Sequence, residues 1–315
     1  MDWSTTAFIF PGQGSQMVGM GKDFAAAFPA ARDTFAQADG IMGRDFSRVM
    51  FEGPAEELDD TANTQPALYI CGVAIARALQ AARPEAIPGY AAGHSLGELT
   101  ALTVAGALSF EDGVALVKLR GQLMHHAGEQ SAGAMAALLA VSLEDVEALC
   151  RDASEQTGRP VVVANDNCPG QVVISGDSIA LDAALEMGKA RGIKRTIRLS
   201  VSVATHSPLM APAEAEFAAK VRATPFETPR VPVYANISAQ PLTTTDAIRT
   251  ELEGQLTRPV RWNALTQAMI TAGAQTFLEM GPKNVLAGLL KRIDKEKLVI
   301  NLDTVEAFNA FLVQN

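Results

Sequence analysis

"GYAAGHSLGELTAL", residues 89 to 102, sets one serine between two glycines, with a short apolar run before it and a helical pattern after it. Gly93-His94-Ser95-Leu96-Gly97 is a G-x-S-x-G pattern, which marks a nucleophile elbow when a strand leads in and a helix leads out. Here "YAAG" reads as the strand and "LGELTALTVAGAL" as a buried helix. At such an elbow the backbone turns sharply and neighbouring chains pack close, so glycine serves where a Cβ has no room. A second reading needs no catalysis: Ser95 caps the helix, with Glu98 three residues on completing a capping box. Both readings put Ser95 at a helix N-terminus, where unpaired amides favour negative charge. On the first reading, the amide of Leu96 is one oxyanion donor.

Strands alternate with helices on both sides of this elbow. "AFIF" (7–10) reads as a buried strand running into the glycine-rich "PGQGSQMVGMG". Residues 64–82 read as a helix apolar nearly all round, and 111–128 as a helix with an apolar stripe. From 134 the order is strand (134–141), helix (144–157), strand (161–165), strand (171–175), helix (178–191) and strand (195–199). That is the β-α-β-β-α-β ferredoxin-like pattern, with "NDNCPG" turning between its central strands. Beyond it come a helix from about 209, strands at 231–236 and 276–280, and helices at 262–273 and 284–294. Strands separated by helices predict a mainly parallel, covered sheet. The expectation is an α/β fold: a large catalytic domain (1–130 and 200–315) with a ferredoxin-like small domain (131–199) inserted.

The bulk composition agrees with a globular enzyme, at 315 residues, 48% hydrophobic and 19% charged, a length that suits two domains or one with an insertion. A net charge of -9 gives a nucleic-acid partner no support. Cys71, Cys150 and Cys168 are too widely spaced for a disulfide framework or a metal set. No basic segment precedes a long apolar core at the N-terminus, and the longest apolar stretch, "GAMAALLAVSL" (133–143), is too short to span a bilayer. The expectation is a cytoplasmic protein without membrane attachment.

A serine nucleophile needs a base, and the chain has four histidines. His94 adjoins Ser95, and neighbouring side chains on a turn diverge. His125 and His126 stand at a helix end, where surface histidines are common. His206, in "SVSVATHSPLM", follows a strand and precedes a helix, where catalytic groups of α/β sheets gather. It is the favoured base, against the plainer reading of a packed loop histidine. Arg120 lies three or four residues from Leu116, Val117, Leu123 and Met124, on the apolar face of its helix. A charge there is costly unless paired. An internal ion pair is one explanation; the other is a ligand carboxylate, which the planar guanidinium would grip bidentately.

Taken together, "FPGQGSQ" (10–16), "TQPAL" (64–68), "GHSLGE" (93–98), "LRGQLM" (119–124), "CPGQVVISG" (168–176), "SVATH" (202–206), "QLTRPVRW" (255–262) and "EMGPKNVLAGLLKRI" (279–293) resemble the malonyl-CoA:acyl carrier protein transacylase family, essentially end to end. The resemblance implies a hydrolase-like large domain with the ferredoxin-like insertion. It makes Ser95 the nucleophile and His206 its base, with the Gln13 amide as second oxyanion donor beside Leu96. It makes Arg120 the clamp on the malonyl carboxylate, puts Gln65 in the acyl pocket, and has Gln255 orient His206 through its backbone carbonyl. It implies malonyl-CoA and acyl carrier protein as substrates, a ping-pong transfer feeding fatty acid synthesis, and no metal or redox cofactor. Two positions depart from the pattern: Lys283-Asn284, where many relatives carry a glycine, and Thr205, where serine or phenylalanine is frequent.

The carrier protein of such a family is acidic, so docking on this acidic chain calls for a local basic patch. "KARGIKRTIR" offers Lys189, Arg191, Lys194, Arg195 and Arg198, which Lys291 and Arg292 would extend; a solvated helix end is the plainer reading. Two rivals keep the fold: a trans-acting polyketide-synthase acyltransferase, and a hydrolase clearing stalled acyl groups, which would have no need of a buried arginine. A non-catalytic scaffold would have little reason to keep Ser95, His206, Gln13 and Arg120 together.

Overall fold

A computed structural model describes residues 1–199, 201 and 203–314. Ser202, which opens the "SVATH" motif, and residue 200, at the expected domain junction, lie outside them. Among the described residues, ten strands form two sheets. The larger contains β1 (Thr6–Phe10), β2 (Tyr90–Gly93), β7 (Val233–Tyr234), β8 (Pro241–Leu242), β9 (Thr276–Glu279) and β10 (Leu298–Asn301), in the order β10-β9-β1-β2-β7-β8. Every pairing in it is parallel except β7 with β8. The smaller contains β3 (Gly133–Leu139), β4 (Val161–Cys168), β5 (Gln171–Asp177) and β6 (Arg195–Arg198), in the antiparallel order β4-β5-β3-β6. Helices Leu143–Thr157 and Ser178–Ala190 complete the ferredoxin-like order.

The central strands of the large sheet are apolar on both faces, as a covered parallel sheet requires. Thr6 to Phe10 are all buried, Phe8 and Phe10 packing toward helices Thr61–Ala82 and Phe110–Gln130 while Ala7 and Ile9 meet Trp262 and Phe277 on the other face. Register then places the site. Phe10 pairs with Gly93 and Ile9 with Glu279, so the carboxyl ends of β1, β2 and β9 finish together. Loops leaving those ends converge where ligands of parallel sheets bind. The "GQGSQ" loop leaves β1, the serine elbow leaves β2, and "GPKN" leaves β9.

β4 of the small sheet is tied to the segment before helix Trp262–Thr271: Asp166 N–H donates to the carbonyl of Val260 at 2.9 Å, and Val260 N–H donates to that of Ala164 at 2.8 Å. The elbow helix spans Gly97–Val104, shorter than its sequence pattern, because Gly106 turns left-handed (φ 77°) and ends it. No described helix is long and apolar enough to cross a membrane.

Candidate active site

Ser95 sits at φ 52°, a left-handed conformation rare for a side chain-bearing residue. The flanking glycines make that turn fit. A Cβ on Gly93 would stand 1.9 Å from the carbonyl of Gly97, and one on Gly97 would stand 2.2 Å from the carbonyl oxygen of Phe10. Asn236 pins the turn from the end of β7. Its Oδ1 accepts from Ser95 N–H at 2.7 Å, and its Nδ2 donates to the Gly93 carbonyl at 2.8 Å.

The capping-box alternative does not form. The helix N-cap is Leu96, with no side-chain cap bond, and Glu98 turns inward. Its Oε1 accepts from Asn236 N–H at 3.0 Å, and its Oε2 accepts from Gln255 Nε2. Burial, and then the nearby Glu251 carboxylate, push the Glu98 carboxyl well above the usual range.

Ser95 Oγ instead lies 2.8 Å from Nε2 of His206. His206 is buried, and its Nδ1 faces two carbonyl oxygens, those of Gln255 and Arg258, each at 2.9 Å. Carbonyls only accept, so Nδ1 carries the hydrogen and Nε2 presents its lone pair to the serine hydroxyl. Burial, with the charge of Arg120 and then His94 adding to it, pulls His206 down to about 3, so the ring is neutral in ordinary buffers.

Arg120 has 0% exposure. Its Nε donates to Gln255 Oε1 at 3.2 Å, its Nη1 to Gln65 Oε1 and to Met124 Sδ, and its Nη2 to Ser95 Oγ at 3.0 Å. Among the described residues, no carboxylate stands within ion-pair distance of it. The internal ion pair that spacing alone suggested is absent, and neutral acceptors hold the cation instead. Burial lowers its pKa to about 10 against the opposing pull of Glu98.

Gln65 and Gln13 complete the ring. Gln65 Nε2 donates to Gln13 Oε1 at 3.0 Å, and Gln13 Nε2 donates to Thr61 Oγ1 at 3.1 Å. The backbone amides of Gln13 and Leu96 have no acceptor among the described residues. Two unspent amides beside a serine hydroxyl are what a developing oxyanion requires.

Gln13, Gln65, Ser95, His206 and Thr205 line a cavity of about 100 Å³ whose far wall is Met135 and Asn165 of the small sheet. It adjoins a wider mouth of about 620 Å³ that also touches Gln13, with Thr61, His125 and Lys283 on its walls. His94 points away from the serine, its Nε2 2.9 Å from Asn167 Oδ1. Asn236, Glu98 and the Arg258 carbonyl escape sequence reasoning, and only the glutamate of "GHSLGE" left a signal.

The cationic segment runs from the end of helix Ser178–Ala190 into β6 of the small sheet. Lys189, Arg191, Lys194 and Arg195 are all exposed. Arg191 is engaged by Asp152 and Arg198 by Asp182, so fewer cations are free than the sequence suggests.

Comparison with known proteins gives this geometry a family. Residues 7–305 match the acyl transferase domain model. The malonyl CoA-acyl carrier protein transacylase of Haemophilus influenzae is 42% identical over 304 residues, 96% of this chain and 97% of that protein. The Escherichia coli transacylase is 44% identical over 287 residues, 91% of this chain and 92% of that protein. The crystal structure of malonyl-CoA:acyl carrier protein transacylase from Xanthomonas oryzae superposes with a TM-score of 0.95 at 42% identity, covering 100% of this chain and 99% of that one. A type II polyketide carrier protein in complex with its malonyl-transacylase matches at 0.93 and 38% identity, covering 98% and 99%. With its elbow serine, neutral histidine and buried arginine on that scaffold, the chain belongs to the acyl transferase family, among the malonyl CoA-acyl carrier protein transacylases.

Proposed function

We propose that the protein transfers the malonyl group of malonyl-CoA to the phosphopantetheine thiol of an acyl carrier protein, through a malonyl ester on Ser95, and so feeds fatty acid synthesis. The observation that carries this reading is Arg120: a buried guanidinium with only neutral partners, 3.0 Å from the nucleophile oxygen. A malonyl carboxylate supplies the anion that site lacks and fixes the thioester carbonyl beside Ser95.

Chemistry follows from the atoms already positioned. His206 Nε2 takes the hydroxyl proton as Ser95 Oγ bonds to the thioester carbon. The carbonyl oxygen becomes an oxyanion against the amides of Gln13 and Leu96, each such donor lowering the barrier by roughly 3–4 kcal/mol. The imidazolium formed meanwhile is held by two carbonyl oxygens at Nδ1. Collapse breaks the C–S bond, and the departing CoA thiolate takes the proton from Nε2. The carrier protein's thiol then gives its proton to His206 and attacks the ester, and Ser95 Oγ leaves with that proton. Gln255 serves both halves, because its carbonyl holds His206 while its side chain holds Arg120. The protein's own residues carry each proton and charge, and the scheme uses no separate cofactor.

The two sheets support dividing the chain into a large catalytic domain (1–130 and 200–315) and a small domain (131–199), with the reaction in the cleft between them. Three buried free thiols, Cys71, Cys150 and Cys168, support a reducing, cytoplasmic setting. Lys189, Lys194 and Arg195 are the cations available to steer an acidic carrier protein.

The test is to mix the protein with radiolabelled malonyl-CoA or acetyl-CoA, without acceptor, and measure label retained. Stable labelling from malonyl-CoA, absent in Ser95→Ala and weakened in Arg120→Ala, is expected. Equal labelling from acetyl-CoA, or rapid loss of label to water, would sink the carboxylate clamp and favour a hydrolase.

A further inference from the structure

The turn after β9 contains a backbone feature that the reaction above does not use. Lys283 adopts φ 63°, a left-handed conformation that disfavours any residue with a Cβ and that glycine ordinarily fills. Two contacts hold it there. Asn301 Nδ2 donates to the Lys283 carbonyl, and the Lys283 ammonium donates to the carbonyl of Gly14 at 3.0 Å. Two residues earlier, Gly281 lies so close to the same loop that a Cβ on it would stand 2.5 Å from Pro11 Cγ. This turn is therefore the floor on which the "GQGSQ" loop rests.

That loop needs external ties, because Gly12 and Gly14 flank Gln13 and leave its backbone free to rotate. The Gln13 side chain is tied to Thr61 and Gln65. The amide of Gly14 is tied to Gln16 Oε1 at 2.7 Å, and Gln16 in turn to Asp59. The Gly14 carbonyl is held by Lys283. Local strain persists where its surroundings over-determine it, and it gathers at sites that gain from being held.

We propose that Lys283 is a positioning residue: its ammonium latches the Gly14 carbonyl and so aims the Gln13 amide at the thioester oxygen during acylation. The latch is charge-assisted, hence stronger than a bond between neutral groups. An oxyanion donor works only when aimed at the place the charge develops, so loosening its loop lowers the rate without touching the carboxylate clamp. This inference rests on the proposed role of the Gln13 amide in malonyl transfer.

Lys283→Met, Lys283→Gly and Lys283→Arg separate positioning from mere structure. The readouts are the single-turnover rate constant for labelling Ser95 from malonyl-CoA, its half-saturating concentration, and Tm. Met and Gly should each slow labelling by about tenfold with half-saturation changed less than about twofold, while Arg keeps most of the rate. Their stabilities should diverge: Met keeps the left-handed strain and loses the latch, so Tm falls. Gly relieves the strain as it loses the latch, and Tm stays within about 2 °C of the parent. A Lys283→Gly protein that labels at the parental rate overturns the proposal, as do rate losses that simply follow Tm. If the parent protein labels from malonyl-CoA while these variants match it, the latch alone fails. If the parent takes no malonyl label, the transfer reading falls and the latch with it.

Discussion

Arg120 and Glu279 are both ionisable side chains at 0% exposure near the carboxyl ends of the parallel strands, and they are satisfied in opposite ways. Glu279, the last residue of β9, spends both oxygens on the first turn of the helix Val285–Ile293. Oε1 accepts from Leu286 N–H at 3.0 Å and Oε2 from Ala287 N–H at 2.8 Å. That helix has no side-chain cap of its own, so a neighbouring strand supplies one. Arg120 spends its donors on two amide oxygens, a thioether and the serine hydroxyl, and its partners Gln65, Met124 and Ser95 line the cavity. A buried charge enclosed by backbone donors belongs to the fold. One left with neutral partners beside a cavity belongs to a ligand. Burial shifts both: Glu279 is pushed up to about 7 and Arg120 down to about 10.

The sharpest way to break this contrast is Arg120→Met. It should cut malonyl labelling by at least about 100-fold, since two charge-assisted bonds to the carboxylate disappear. It should leave Tm unchanged or raise it, because a buried cation without an anion is replaced by an apolar chain. A strongly destabilised protein would show instead that Arg120 belongs to the fold.

Glu279→Gln should do the reverse, keeping labelling and losing about 1–3 kcal/mol of stability, because an NH₂ group would face one helix amide. The linkage also carries a sign. The folded pKa of Glu279 lies above its ordinary 4.5, so its contribution is full below pH 4.5 and is lost as pH rises through about 7. Measured against Glu279→Gln, which lacks this titrating group, the denaturant midpoint of the parent should fall between pH 4.5 and 8.

A smaller effect concerns His206. In the proposed mechanism the neutral ring is the base, so protonation should remove activity, and a pKa of about 3 should keep acylation flat from about pH 5 to 8. Arg120 contributes to that depression after burial, so the acid limb of Arg120→Met should move to higher pH. An acid limb near 6.5 in the parent would contradict the buried, carbonyl-held ring.

The smallest effect is expected at the surface. Lys194→Glu should raise the carrier-protein KM by about two- to fivefold at low salt, and Arg191→Glu by less, since Arg191 is already engaged by Asp152. Equal effects at both positions would show that the pairing with Asp152 does not survive docking.

How much of this could be read beforehand follows the range of each interaction. The serine elbow is local: strand, glycine, serine, glycine and helix stand in a row. Arg120 was conspicuous because a charge interrupts an apolar stripe. The ferredoxin-like unit was legible from six consecutive elements. Asn236 was not, because its partners Gly93, Ser95 and Glu98 lie 138 to 143 residues away in the chain, and an asparagine after "VPVYA" advertises nothing. Glu98 was misread as a possible cap because a capping box and an inward-facing glutamate share one sequence pattern. β8 and β10 leave little signal because they are short: β8 has two residues, and β10, at the edge of the sheet, has four.

The bond from Arg120 Nη2 to Ser95 Oγ has a consequence for inhibitor chemistry. A lone pair of the proposed nucleophile is engaged by the same guanidinium that is proposed to select the substrate. A general serine-directed electrophile meets a guarded oxygen, whereas a reagent that carries an acid beyond its warhead draws the guanidinium away and exposes the oxygen as it arrives. Selectivity against other serine enzymes is thus obtained from the tail of a covalent inhibitor rather than from the reactivity of its head.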